Sequence, residues 1–250
     1  TTPVFTLNAP ILDMALDASG QLWLTTGHEL LLIDLSGTII RRLSGPAPEP
    51  LTHALAIPPG SGDLYVTSGN GIEIFRPQET DPTRAWRHFS NERVGDLAFG
   101  PDNRLWAVRW SGSDITSATP NGTTDILSSS LDNVNSRHAG RAELEYRLNG
   151  PIDSLAFGAP GSALSGLLFA SSNLKQRPIV DAAPGAAPHQ AAVWMIELAR
   201  QGEERRVLQL ATGGTRGETL LATPDGRLLV AQTHRIDEIS PLQAPRVIAL

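Results

Sequence analysis

Apolar residues fall in short runs along this chain, some alternating with polar positions and some continuous, and each run is broken by Gly, Pro, Asp or Asn. An alternating run covers one face of a strand, while a continuous one fills a strand buried on both faces, so the spacing predicts short antiparallel strands joined by tight turns. At the start of the chain the runs predict strands over Ile11 to Leu16, Gln21 to Thr25, Glu29 to Leu35 and Thr38 to Leu43. The unit then returns. Five copies of one strand-turn-strand phrase mark it: Asp13 to Trp23, Ala54 to Tyr65, Asp96 to Trp106, Ser154 to Phe169 and Thr219 to Leu229.

A unit that recurs every few tens of residues cannot bury its own apolar face and must stack on its neighbours. Four antiparallel strands per unit make a propeller blade, so the chain is expected to be an all-β propeller of about five four-stranded blades, with six as the alternative. Blade bodies fall at 11–45, 51–90, 94–148, 152–210 and 216–240, within a single domain of residues 1–242. Residues 128–140 and 173–190 are insertions, the second an exposed loop rich in Ala and Pro. Six runs read as outer strands against five inner sets. Pro3 to Asn8 is therefore expected to close the fifth blade and remove an open sheet edge, with 243–250 a competing strand or an exit toward a following domain.

The phrase also assigns roles. In the turn Asp17-Ala18-Ser19-Gly20 and its counterparts Pro101-Asp102-Asn103-Arg104 and Pro224-Asp225-Gly226-Arg227, Pro stands where φ is fixed and Gly or Asn where φ is positive. These aspartates serve the turn, since the distal glutamate of a calcium loop is missing. Trp23, Tyr65 and Trp106 sit inside the phrase and are expected to pack between blades.

Composition removes several classes of function. The longest apolar runs, such as Leu30 to Ile33, are far too short to span a bilayer, so no membrane insertion is expected. A formal charge of -6 and a single lysine, Lys175, argue against nucleic acid, which needs clustered cations. No cysteine is present, which excludes disulfides, thiolate metal sites and a cysteine nucleophile. There is no Gly-x-Ser-x-Gly elbow, P-loop or dinucleotide fingerprint. The chain opens Thr1-Thr2-Pro3 and reads as a mature protein or an excised domain, expected to be a monomer.

The stretches Asp96 to Ala107 and Thr219 to Val230 resemble NHL and SMP-30/gluconolactonase-like β-propellers, in which a similar phrase spans the first two strands of a blade. That resemblance implies the propeller fold. Gluconolactonase-like enzymes hold a divalent metal at the channel mouth with Glu, Asn and Asp from different blades, usually six, whereas the first-strand positions here are Asp13, Ala54, Asp96, Ser154 and Thr219. A second resemblance, over Gly213 to Glu218, Gln232 to His234 and Ile239 to Val247, is to propeller segments inside long bacterial cell-surface proteins with Ig-like repeats. It implies an extracellular or cell-surface domain.

Ligands of propellers gather where second-to-third-strand and fourth-to-first-strand connections meet. The candidates there are His28, Asn70, Arg109, Trp110, Asn173, Arg216, His234 and Arg235. Arg109 beside Trp110 is the most suggestive pair: an aromatic face can stack on a sugar ring while a guanidinium binds a hydroxyl or carboxylate. The expectation is a non-catalytic binding or scaffold domain that recognises a glycan or protein partner, or presents flanking domains. The alternative is a lactonase-like hydrolase or lyase with a cation, calcium for example, held by Asp13, Asp96, Asp153 and Glu218.

Overall fold

Leu64-Tyr65-Val66-Thr67-Ser68 and Gly71-Ile72-Glu73-Ile74-Phe75 are buried at every position, as continuous runs between two neighbours should be, while Ile39–Ser44 alternates half-buried with exposed. The structure, a computed structural model, describes residues 7–34, 36–44, 51–110, 123–131, 142–149, 152–172, 192–198, 207–212, 219–231 and 236–239. Blade 1 consists of β1 (Asp13–Leu16), β2 (Leu22–Thr25), β3 (Glu29–Ile33) and β4 (Ile39–Ser44). Blade 2 has β5 (Leu51–Ala56), β6 (Leu64–Ser68), β7 (Gly71–Phe75), a single helical turn α1 (Pro82–Ala85) and β8 (Trp86–Ser90). Blade 3 has β9 (Asp96–Phe99), β10 (Arg104–Trp110), β11 (Thr123–Ser130) and β12 (Glu143–Asn149). β13 (Ser154–Phe157), β14 (Leu167–Ser171), β15 (Ala192–Glu197) and β16 (Val207–Thr212) form blade 4, and β17 (Thr219–Ala222), β18 (Leu228–Ala231) and β19 (Ile236–Ile239) form blade 5.

Within each blade the strands pair in chain order, so the fold is the expected five-bladed β-propeller. Both Pro3 to Asn8, apart from its last two residues, and 243–250 lie outside the described residues, as does the predicted loop at 173–190. The helical turn was not legible in the repeat. It forms because Asp81 caps it, accepting from Thr83 N at 2.9 Å, with Pro82 fixing φ at its first position.

The chain divides into two compact units, Thr1–Phe99 with Asn103–Ala107 and Ser128–Glu143, and Gly100–Asp102 with Val108–Leu127 and Leu144–Leu250. In the first, Trp23 and Leu30 of blade 1 pack with Leu55, Leu64, Val66 and Phe75 of blade 2. Tyr65 sets its ring edge-on against Phe89 of its own blade and Phe99 of blade 3, 5.2 Å from each. In the second unit Phe169 of blade 4 packs with Leu220, Leu228 and Val230 of blade 5. The repeated aromatic is thus the residue that joins one blade to the next.

The hairpin after each first strand repeats its backbone as well. Gly20, Gly60, Asn103, Gly161 and Gly226 all have φ between 58° and 85°. Four are glycine because this left-handed region costs other residues a Cβ clash, and the fifth is asparagine, which tolerates it best. Asp17 ties the first of these hairpins together. Its Oδ1 accepts from Ser19 N and Gln21 N at 2.9 and 3.0 Å, and its Oδ2 from the Trp23 indole at 3.3 Å.

Candidate functional site

A first-strand aspartate can serve as a cation ligand or as an acceptor for backbone N–H groups, and its neighbours decide between the two. Asp13 opens β1 with Oδ1 2.8 Å from Met14 N and Oδ2 2.7 Å from Leu55 N, so its carboxylate ties blade 1 to the first strand of blade 2. Ser154 holds the matching position in blade 4, and its Oγ accepts from Leu220 N of blade 5 at 3.3 Å. Asp96 accepts from Leu97 N at 2.9 Å, and Asp153 donates its backbone N–H to the Ser171 carbonyl at 2.8 Å. Among the described residues no three His, Asp or Glu side chains gather where they could share a metal ion. Glu218 lies outside the described residues.

Burial pushes the Asp13 carboxyl up to about 6, against the two backbone donors that favour its charge. Folded Asp13 therefore binds its proton more tightly than unfolded Asp13. Its contribution to stability is complete below pH 4 and disappears as the pH rises through about 6, amounting to at most about 3 kcal/mol. Chemical denaturation between pH 4 and 7 should show this decline in the wild type and a flatter profile in Asp13→Asn. Equal slopes in the two proteins would refute the assignment.

The sequence candidates divide. His28 lies exposed in the β2–β3 hairpin and Asn70 exposed in the β6–β7 hairpin, the connections foreseen for them. Arg109 and Trp110 are not in a connection, as the sequence reading had them: β10 runs on to Trp110, because Arg104–Trp110 keeps its pairing with β11 beyond the end of the repeat phrase. The Trp110 side chain, Asn173, Arg216, His234 and Arg235 lie outside the described residues.

Strand placement gives Arg109 a partner that the sequence reading missed. Its Nη2 donates to Asp125 Oδ2 at 2.9 Å. Arg147, on β12, donates to the same carboxylate through Nε to Oδ1 at 2.7 Å and Nη2 to Oδ2 at 3.1 Å. Asp125 is buried at 3% side-chain exposure, while Arg109 and Arg147 are exposed by 36% and 54%. The Arg147 guanidinium, then that of Arg109, holds the Asp125 carboxyl below the usual carboxylate range, and Asp125 in turn raises Arg147. The sign is opposite to that of Asp13: the contribution of Asp125 is present above its unfolded pKa of about 4 and is lost as acid protonates it.

Blade 2 carries a simpler version. Glu73, third residue of β7 as Asp125 is third in β11, is buried and lies 2.9 Å from Nδ1 of His88, whose Nε2 is 2.9 Å from Asn91 Oδ1. His88 and Arg147 each stand two residues before the end of their strand. That shared offset, an acid on the third strand facing a nitrogen-bearing side chain on the fourth, is the signal by which Asp125 and Arg147 could have been found.

No family model and no curated protein matches the sequence. Among solved structures the chain is similar to PorZ, described as a bacterial surface component of the type-IX secretion system of Porphyromonas gingivalis, at TM-score 0.59 and 14% identity over 96% of this chain and 33% of that one. It is similar to a gluconolactonase of Xanthomonas campestris at TM-score 0.57 and 13% identity, covering 89% of this chain and 69% of that one. The Neurospora crassa Pan2 WD40 domain matches at TM-score 0.50 and 9% identity over 94% of this chain, which spans 63% of that chain's length. Among the described residues no helix is long and apolar enough to cross a membrane. The likenesses include both kinds of propeller that the sequence resembled, gluconolactonase-like and bacterial-surface, and at such identities what they establish is the β-propeller fold.

Proposed function

We propose that this propeller is a non-catalytic binding domain of a bacterial extracellular or cell-surface protein, meeting a glycan or protein partner at its unrepeated polar residues. One observation carries the reading. The polar side chains at repeated positions are committed to backbone groups, Asp13 to Met14 and Leu55 and Ser154 to Leu220, whereas Arg109 and Arg147, which meet on the buried Asp125, keep guanidinium groups that are 36% and 54% exposed. The likeness to PorZ, a surface component, agrees with such a location.

The test is a glycan array and a partner screen with the wild type and Arg109→Ala/Trp110→Ala. A bound partner should be weakened at least about tenfold, the scale of one charge-assisted contact, while the melting temperature changes little because Arg147 still neutralises Asp125. If nothing in a broad array or screen binds the wild type, the recognition role fails and only a scaffold between flanking domains remains.

A further inference from the structure

The outermost strand of a blade turns one row of backbone groups toward any strand that comes next, and folded proteins guard such an edge with charge. Blades 1 to 3 do so: β4 carries Arg41 and Arg42, β8 carries Arg87 and His88, and β12 carries Glu143, Glu145 and Arg147. β16, the outermost strand of blade 4, reads Val207-Leu208-Gln209-Leu210-Ala211-Thr212, with no charge and no proline. We propose that β16 is an interaction edge whose partner is β16 of a second copy of this chain, paired antiparallel across a two-fold axis, so that the chain is a dimer in place of the expected monomer.

Exposure sets this strand apart as well. Val207 and Leu208 are exposed by 43% and 53%, and because successive residues of a strand point to opposite faces, β16 shows apolar surface on both. Exposed apolar residues on the other outer strands sit beside charge: Ile40 precedes Arg41, and Leu144 stands between Glu143 and Glu145. Leu210 anchors β16 by packing against the cluster that blades 4 and 5 share. The register shift of β16 against β15 does not replace the missing charge, since β4 and β8 shift as well and keep theirs.

Charge selects the occupant. Like charges opposite one another destabilise a strand pair, so β4 on its own copy would set arginine against arginine, whereas β16 meets itself with no charge on either side. A short, uncharged run of β-formers is also the kind of segment that pairs with its own copy. The contact is isologous, so pairing occupies the edge and stops at two copies. Each copy contributes a six-residue strand, a contact below the roughly 1,200 Å² where stable interfaces begin, and the dimer is therefore weak and set by concentration.

Sedimentation velocity of the whole chain from about 10 μM to about 1 mM tests this. The wild type should pass from monomer to dimer with no larger species. Leu208→Lys should raise the dissociation constant at least about tenfold, while Leu144→Lys on the edge of β12 leaves it unchanged. If Leu208→Lys fails to fold, Gln209→Lys at its exposed neighbour takes its place. A wild type that stays monomeric across the range overturns the proposal. A dimer that both β16 variants leave intact overturns the assignment to this edge, and growth beyond the dimer overturns the closed pairing.

Discussion

Phe75→Ala lowers the stability of the protein by about 4 kcal/mol and the melting temperature by roughly 10 °C, within the range for emptying a buried aromatic site. Phe75 is 1% exposed at the end of β7. Its ring meets Trp23 of blade 1 edge-on at 6.0 Å and Trp86 of its own blade at 4.9 Å, and the Arg41 guanidinium lies 5.5 Å from its centroid. Removing it therefore deletes contacts inside blade 2 together with those that hold blade 1 against it. The surrounding residues belong to two sheets whose backbones are pinned by hydrogen bonds, so the cavity cannot simply collapse. Phe75→Leu keeps most of the volume and should cost about 1.5 kcal/mol. A loss below about 1 kcal/mol for the alanine variant, measured by equilibrium denaturation, would mean that this cluster does not join the blades.

Gly158→Ala should cost about 3 kcal/mol or more by a different mechanism, overpacking. A Cβ at Gly158 would collide with the Leu164 carbonyl and come within 2.8 Å of its Cβ. Neither side can yield. Gly158 N donates to the Leu167 carbonyl at 3.0 Å and Leu167 N returns to the Leu164 carbonyl at 3.1 Å, while Leu164 itself is fully buried in the cluster shared by blades 4 and 5. Gly161 in the same connection supplies the control: it has open space around its Cβ and only a left-handed φ of 78°, so Gly161→Ala should cost about 1 kcal/mol. If the two alanine variants prove equally stable, the close approach at Gly158 is not a constraint.

The reach of the sequence follows from what repeats. Strands and hairpins recur in five copies and the buried aromatic in four, with Leu229 in its place in the fifth, and each copy corrects the reading of the others: Trp23, Tyr65, Trp106 and Phe169 occupy one position and are all buried. Asp13 was legible as a first-strand residue, but its bond to Leu55 depends on how one blade abuts the next, which no local pattern encodes. Asp125 was harder. It lies in Thr123–Ser130, a polar run that binary patterning does not read as a buried strand, yet Thr124, Asp125, Ser128 and Ser129 are all buried. Their hydroxyls and carboxylate are satisfied by groups distant in sequence, such as Ile152 N on Thr124, Arg104 on Ser128 and Arg147 on Asp125. Arg109 was singled out for its neighbour Trp110, whereas its partners in space include Asp125 and, through it, Arg147.

The central claim is that Asp13, on the first strand of blade 1, holds that blade to the next instead of binding a cation, and that recognition belongs to the unrepeated residues of blade 3. Calorimetric titration of the wild type with calcium at pH 7 tests it most directly, because the cation-binding alternative requires Asp13 and Asp96 to ligate a metal. The account predicts no site tighter than about 1 mM, the weak end of extracellular calcium modules. A site of micromolar affinity in the wild type that disappears in Asp13→Asn/Asp96→Asn would contradict it.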